Sequence, residues 1–357
     1  MRLVKPIQLR RAKAYVHVAK ARADKMLGRV PLPRVAWLIP TWYCDLKCLT
    51  CGVWRRPRAA SDLNVEQWRQ LLNKVSFLDV IKMLGGEPFT REDVHEIGVA
   101  VQEIVQPMIF HAVTAGKETD RIVQFAEAVG APNLHLRISI DGLGDIHEKM
   151  RGVPGLHERA LATVDRLLPL REKKGFHLGV NVAVNDQTLP HLAAMVDFCA
   201  EREITIAPGL AVSPFLEDID PAEKAPRVLM ANQKEAIRET LNQMTKRPQG
   251  GYSLGERLRL EDLNHHIWDR MLDGAKATLD GPNCEALRSF IYLLPDGGVS
   301  ACGLRQASVG NLMNASFEDV WMSAEALKKR QEITNCVGCL QHSATVFSKV
   351  YGGGSTL

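Results

Sequence analysis

"NLHLRISID", residues 133–141, alternates two kinds of side chain. Leu134, Leu136, Ile138 and Ile140 share one face of any strand it forms. His135, Arg137, Ser139 and Asp141 share the other, because successive side chains point to opposite sides of a sheet. "HLGVNVAVN", residues 177–185, repeats the pattern, with Leu178, Val180, Val182 and Val184 opposed to His177, Gly179, Asn181 and Asn185. A parallel strand covered by helices on both faces reads as an unbroken apolar run. A polar second face therefore points to a barrel with a wet or ligand-filled lumen. An edge strand with a solvated face is the alternative.

The neighbouring segments extend this reading. Strands are expected at 35–39, 79–84, 108–113, 133–140, 177–184 and 204–207, with helices near 64–75, 91–105, 117–129, 156–173 and 187–202. Strand–helix alternation of this kind argues an α/β fold with a parallel sheet. Six units fall short of the eight that close a TIM barrel, so a partial (β/α)6 TIM-like barrel is expected over 35–215. A basic helical segment, 1–34, precedes it, helical from about Ile7 to Leu27 and broken by Pro31 and Pro33. Residues 216–280 read as a helical connecting segment, 281–342 as a small α+β cysteine-rich module, and 343–357 as a tail.

Of the 357 residues, 46% are hydrophobic and 24% charged, which places the chain among globular rather than disordered sequences. A net charge of +4 is too small to argue for a nucleic-acid partner, and none is expected. No apolar run approaches the roughly 20 residues that span a bilayer. Charges interrupt the N-terminus, which lacks the apolar core of a secretory signal. A cytoplasmic location is expected, and there clustered cysteines hold metal more often than they form disulfides.

The eight cysteines divide into three, four and one. Cys44, Cys48 and Cys51 form C-x3-C-x2-C in "TWYCDLKCLTCGVW", directly after the first strand. Cys284, Cys302, Cys336 and Cys339 form a late group, and Cys199 stands alone. Two metal centres and a spare thiol suit these numbers better than disulfides. Three thiolates leave one position of a four-iron cluster open to another ligand. A zinc ion with a distant fourth ligand, or a zinc ribbon at the late group, is the alternative.

The early motif, together with "GGEP" (Gly85, Gly86, Glu87, Pro88) after the second strand, "SIDG" (Ser139–Gly142) and "HEKMRG" (His147–Gly152), resembles the radical S-adenosylmethionine (SAM) superfamily. The resemblance implies an enzyme in which the cluster on Cys44, Cys48 and Cys51 binds SAM and cleaves it reductively. The resulting 5′-deoxyadenosyl radical abstracts a substrate hydrogen. It also implies that Gly85, Gly86, Glu87 and Pro88 lie at the SAM amino group, Ser139 and Arg151 near its ribose and carboxylate, and Asn181 on the lumen face near the ligand. Thr50 departs from the family, which often has an aromatic residue just before the third cysteine.

"EALRSFIYLLPDGGVSA", between Cys284 and Cys302, reads as a hairpin around a Pro-Asp-Gly-Gly turn. With "VGNLMNASFEDVW" and the Cys336–Cys339 pair, it is similar to the auxiliary-cluster modules called SPASM and, when shortened, Twitch. No cysteine follows Cys339, so a Twitch-type module with one auxiliary 4Fe–4S cluster on the four late cysteines is implied. A closed cluster carries electrons, which favours an oxidative outcome, dehydrogenation or cross-linking. Redox-neutral epimerisation would need a hydrogen donor, for which Cys199 is the one spare thiol. Its helix "AAMVDFCAE" reads as amphipathic, so a buried structural role is the stronger expectation.

Relatives with such modules modify ribosomally made peptides, aminocyclitols and other small metabolites. A natural-product-type substrate is expected, a peptide slightly favoured over an aminocyclitol, sugar or lipid; a non-catalytic iron–sulfur carrier is the remote alternative. The resemblance also implies a flavodoxin- or ferredoxin-type electron donor. Only 43 residues precede Cys44, so a leader-binding domain is expected to be missing or to reside on a separate protein. For the basic N-terminal helix, capping the barrel is favoured over contact with an anionic membrane.

Overall fold

The computed structural model describes residues 7–55, 61–210, 284–302 and 308–334, together with residues 235 and 239. The connecting segment expected at 216–280 otherwise lies outside the described residues, as do the tail at 343–357 and both Cys336 and Cys339.

Six strands run parallel in chain order: β1 (Val35–Leu38), β2 (Val80–Met83), β3 (Ile109–Thr114), β4 (Leu134–Ser139), β5 (His177–Val184) and β6 (Thr205–Leu210). The first five fall within a residue of their expected bounds, and β6 runs on to Leu210. Around them lie α1 (Ile7–Met26), α2 (Val65–Lys74), α3 (Val94–Ala100), α4 (Thr119–Val129), α5 (Asp145–Arg151), α6 (Leu156–Lys174) and α7 (Leu192–Glu201). Phe110, Ala112, Leu134, Leu136, Ile138 and Val180 form the outer face of the sheet and are wholly buried in the core. On the inner face, His111 and Val113 of β3 and His177 and Asn181 of β5 keep partial exposure. The period of two in the sequence is thus the difference between helix-covered wall and lumen. β4 sits between β3 and β5, which removes the edge-strand alternative.

The late hairpin forms as expected, but it is not a separate sheet. β7 (Phe290–Leu293) adds in parallel to β1, and β8 (Gly298–Ser300) and β9 (Ser308–Asn311) continue antiparallel. Trp37 of β1 fixes the seam, stacked on Tyr292 at 4.8 Å and edge-on to Phe290 at 5.0 Å between centroids. The Leu63 amide donates to the Pro295 carbonyl at 2.7 Å, and Lys74 reaches the carbonyls of Leu312 and Ala315. Barrel and module therefore share one nine-stranded sheet with β6 and β9 at its ends, an open barrel among the described residues.

Helix α1 lies across the base of this sheet. His17 Nδ1 meets Asp79, just before β2, at 2.7 Å, Lys25 meets Glu285, before β7, at 2.5 Å, and Ala21 is buried between them. That is the capping role expected of the basic segment. No helix among the described residues is long and apolar enough to cross a membrane.

Three local details differ from expectation. Helix α7 begins at Leu192 rather than 187, because the Asn185 side chain accepts from the amides of Gln187 and Thr188 at 2.9 and 3.1 Å and closes a turn first. The helix expected at 91–105 ends at Ala100 and continues as a wider turn to Val105. Helix α5, which carries most of "HEKMRG", has only seven residues, too few for an apolar period to show.

Candidate active site

The loop after β1 carries the three early cysteines and is held at both ends by backbone. On one side the Gly86 amide donates to the Thr41 carbonyl at 3.0 Å, and the Glu87 amide to that of Tyr43 at 2.9 Å. On the other, Lys47 and Leu49 donate to the carbonyls of Arg151 and Met150 at 3.1 and 2.9 Å. "GGEP" and the end of α5 thus grip the cysteine loop like two jaws. Two glycines are obligatory. A Cβ on Gly86 would stand 2.1 Å from the Tyr43 carbonyl oxygen and 2.6 Å from that of Trp42, and one on Gly85, at φ +149°, would meet the Thr41 oxygen at 2.6 Å.

Cys48 is buried with Leu46, Ala115 and Leu156, and Cys44 and Cys51 pack against the same cluster. Burial pushes the thiol of Cys51 up to about 11, and lifts Cys44 and Cys48 above the ordinary thiol range. A cluster bound here would have to displace their protons. Three thiols gathered on one loop fit a four-iron cluster with one position left open.

Arg151 stands between the cluster loop and β4. Its guanidinium meets Asp141 at 2.7 and 2.9 Å and hydrogen-bonds the Cys48 sulfur. Burial alone would lower this guanidinium, yet Asp141 and Cys48 hold it above its ordinary value. Asp141, 1% exposed, also accepts from the Ala183 amide at 2.9 Å, tying β5 to the same node. His147, wholly buried, accepts from the Asp141 amide at 3.1 Å, and burial then Arg151 push it down to about 3, so it remains neutral. Arg151→Met leaves the Asp141 carboxylate buried without its cation, and a loss of about 3–5 kcal/mol of unfolding free energy is expected. Adding Asp141→Leu recovers part of it. Denaturant unfolding of the two variants and the wild type checks this.

The remaining expected residues fall as follows. Glu87 is 3% exposed, and its carboxylate accepts from Thr114 Oγ1 at 2.8 Å and from the amides of Ala115 and Phe89 at 2.7 and 3.1 Å. Burial pushes it up to about 7. It braces the loop after β2 against the end of β3. Pro88 is buried beside it. Ser139 and Asn181 are register partners at the top of β4 and β5, on the lumen side. Cys284 and Cys302 flank the β7–β8 hairpin and pack on the main core. Cys199 is 1% exposed in α7, with burial pushing its thiol up to about 12, as a structural thiol would be. In the sequence, Asp141 shows only as a polar-face residue within "SIDG", and His147 only through its place in "HEKMRG".

Comparison with known families agrees with this geometry. The model described as "Radical SAM superfamily" matches residues 38–199. Residues 38–199 are a radical SAM domain. A second family model, SPASM, an iron–sulfur cluster-binding domain, matches residues 284–340. The chain is 24% identical to the AdoMet-dependent heme synthase of Methanosarcina barkeri over 86% of its own length and 87% of that protein. It is 22% identical to the sporulation killing factor maturation protein SkfB of Bacillus subtilis, over 85% of its length and 68% of SkfB. Among solved structures, Streptococcus suis SuiB bound to its precursor peptide SuiA superposes with a TM-score of 0.62 at 18% identity, covering 90% of this chain and 71% of SuiB. The chain shares the overall fold of SuiB.

Proposed function

We propose that this radical SAM protein oxidatively modifies an organic substrate, forming a cross-link or a double bond. The observation that carries the reading is that one continuous sheet presents three cysteines at the top of the barrel and, flanking a hairpin that pairs directly with β1, Cys284 and Cys302 of the late group. When bound, the first cluster supplies one electron that cleaves SAM to a 5′-deoxyadenosyl radical, which takes a hydrogen atom from a substrate C–H bond. Cys44, Cys48 and Cys51 would hold that cluster, and Cys284, Cys302, Cys336 and Cys339 a second, electron-accepting one.

The chain's own residues do the positioning. Gly85 and Gly86 let backbone pass close enough to fix the cysteine loop. Glu87 locks that loop to β3, and Arg151 places positive charge against the Cys48 sulfur. Ser139 and Asn181 offer polar side chains at the lumen mouth, where SAM's ribose and carboxylate would lie. A reductant protein of the flavodoxin or ferredoxin kind would supply the electron.

A ribosomally made peptide is the substrate we favour, supported by the likeness to SkfB and to SuiB with its bound precursor. A tetrapyrrole is the second reading, favoured by the balanced coverage of the heme synthase, 86% against 87%. The Cys336→Ala, Cys339→Ala variant tests the oxidative half. Its SAM cleavage is expected to persist while oxidised product collapses, so that 5′-deoxyadenosine formed per product rises steeply. Anaerobic chromatography of both in one reaction reads the ratio; an unchanged ratio on folded protein would leave the late cysteines a structural role only.

A further inference from the structure

Lys82 of β2, His111 of β3, His135 of β4 and His177 of β5 lie on one register line, which begins at Trp37 of β1. Side chains on one line share a face, and their outward neighbours Ile81, Phe110, Leu134 and Leu178 belong to the helix-covered core. The line therefore crosses the lumen, below the mouth where Ser139 and Asn181 pair. The imidazoles follow one another, His111 to His135 at 4.8 Å and His135 stacked on His177 at 4.3 Å between centroids. Lys82 Nζ lies 5.8 Å from the centre of the Trp37 ring.

One step nearer the mouth, Arg137 shares the same face, opposite Gly179. A Cβ at position 179 would stand 2.3 Å from Arg137 Nη1, so the glycine leaves room for the guanidinium. Lys82, His111 and His177 retain partial exposure although they sit deep in the barrel, as groups lining a cavity do. Across β1 to β6 there is no Asp or Glu at all. Gathering basic groups in an interior costs desolvation and mutual repulsion. The cost is visible: burial, then Arg137, push Lys82 down to about 8, and burial and His135 hold His111 well below its usual value. Such a concentration of perturbed groups is typical of functional sites rather than packing. The cluster and SAM positioning described above uses none of them.

We propose that this layer of Lys82, His111, His135, Arg137 and His177 binds carboxylate groups of the substrate, holding it in the lumen beneath SAM. The proposal rests on the radical SAM reading only for what lies above the substrate. Arg137 offers a planar fork suited to a carboxylate, Lys82 a point charge, and the imidazoles N–H donors. The carboxylates could be propionates of a tetrapyrrole or acidic side chains of a peptide, and two probe pairs separate these.

The test uses the anaerobically reconstituted holoprotein. Coproporphyrin III, a tetracarboxylate, is compared with its tetramethyl ester by Soret absorbance, and a Glu-rich peptide with its Gln counterpart by calorimetry. The wild type is expected to bind the acid form of one pair more tightly than the neutral form by roughly tenfold or more, and that pair names the source. Lys82→Met and Arg137→Gln should each erase most of the preference. Lys82→Met also removes a buried charge at nearly constant volume, so its melting temperature is expected to rise, and it decides the matter alone if Arg137→Gln does not fold. Equal binding of acid and neutral forms, no binding of any probe by the wild type, or an unchanged preference in folded Lys82→Met would overturn the proposal. SAM cleavage by the wild type in the same preparation tests the radical reading separately. Acid-selective binding without cleavage would overturn that reading and leave the carboxylate site standing.

Discussion

Replacing Cys44, Cys48 and Cys51 together by alanine is expected to reduce 5′-deoxyadenosine formation, with dithionite as reductant, to the level of an enzyme-free control. The three thiols share one buried pocket and no other cysteine among the described residues packs with them, so no described thiol can replace the lost ligands. The variant should keep the late cluster and hold about four irons per chain where the wild type holds about eight. Iron and sulfide analysis alongside the cleavage assay separates loss of one cluster from loss of the fold. Wild-type cleavage rates in the triple variant would remove the early triad from the chemistry.

Gly86→Ala is expected to do nearly as much damage without touching a ligand. Its Cβ would overlap two consecutive carbonyls of the cysteine loop, at 2.1 and 2.6 Å, and backbone cannot rotate aside as a side chain can. The loop carrying Cys44 must shift, and a displacement near 1 Å at a reacting centre can cost on the order of a hundredfold in rate. SAM cleavage should fall by about that factor and early-cluster iron should drop. Gly209→Ala, where a Cβ meets nothing within 4 Å, serves as the control. Equal activity in the two variants would mean that the grip of "GGEP" on the loop is dispensable.

Much of this architecture is visible in the chain before folding, for a physical reason. A strand with one wall face and one lumen face must alternate, so "NLHLRISID" and "HLGVNVAVN" announce both their conformation and the cavity they line. The cysteine triad and the glycine pair are equally legible because each acts within a few residues of itself. What stays hidden depends on register and on partners distant in sequence. His111, His135 and His177 become neighbours only when β3, β4 and β5 pair in one particular alignment. Glu87 resembles a ligand residue, yet its carboxylate is satisfied by Thr114 and Ala115, which only the fold brings to it. Arg151 likewise reads as a SAM contact, while the fold sets it against Asp141 and Cys48. The late hairpin could be read from its turn, but not that β7 would extend the barrel sheet through Trp37 and Tyr292.

The most direct test of the central claim is reductive cleavage by the wild-type protein itself. The chain is reconstituted anaerobically to about eight irons, mixed with SAM and dithionite, and assayed by chromatography for 5′-deoxyadenosine and methionine. The account predicts both products in equal amounts, growing with time and absent without reductant. Fully loaded protein that binds SAM and forms neither product would contradict it.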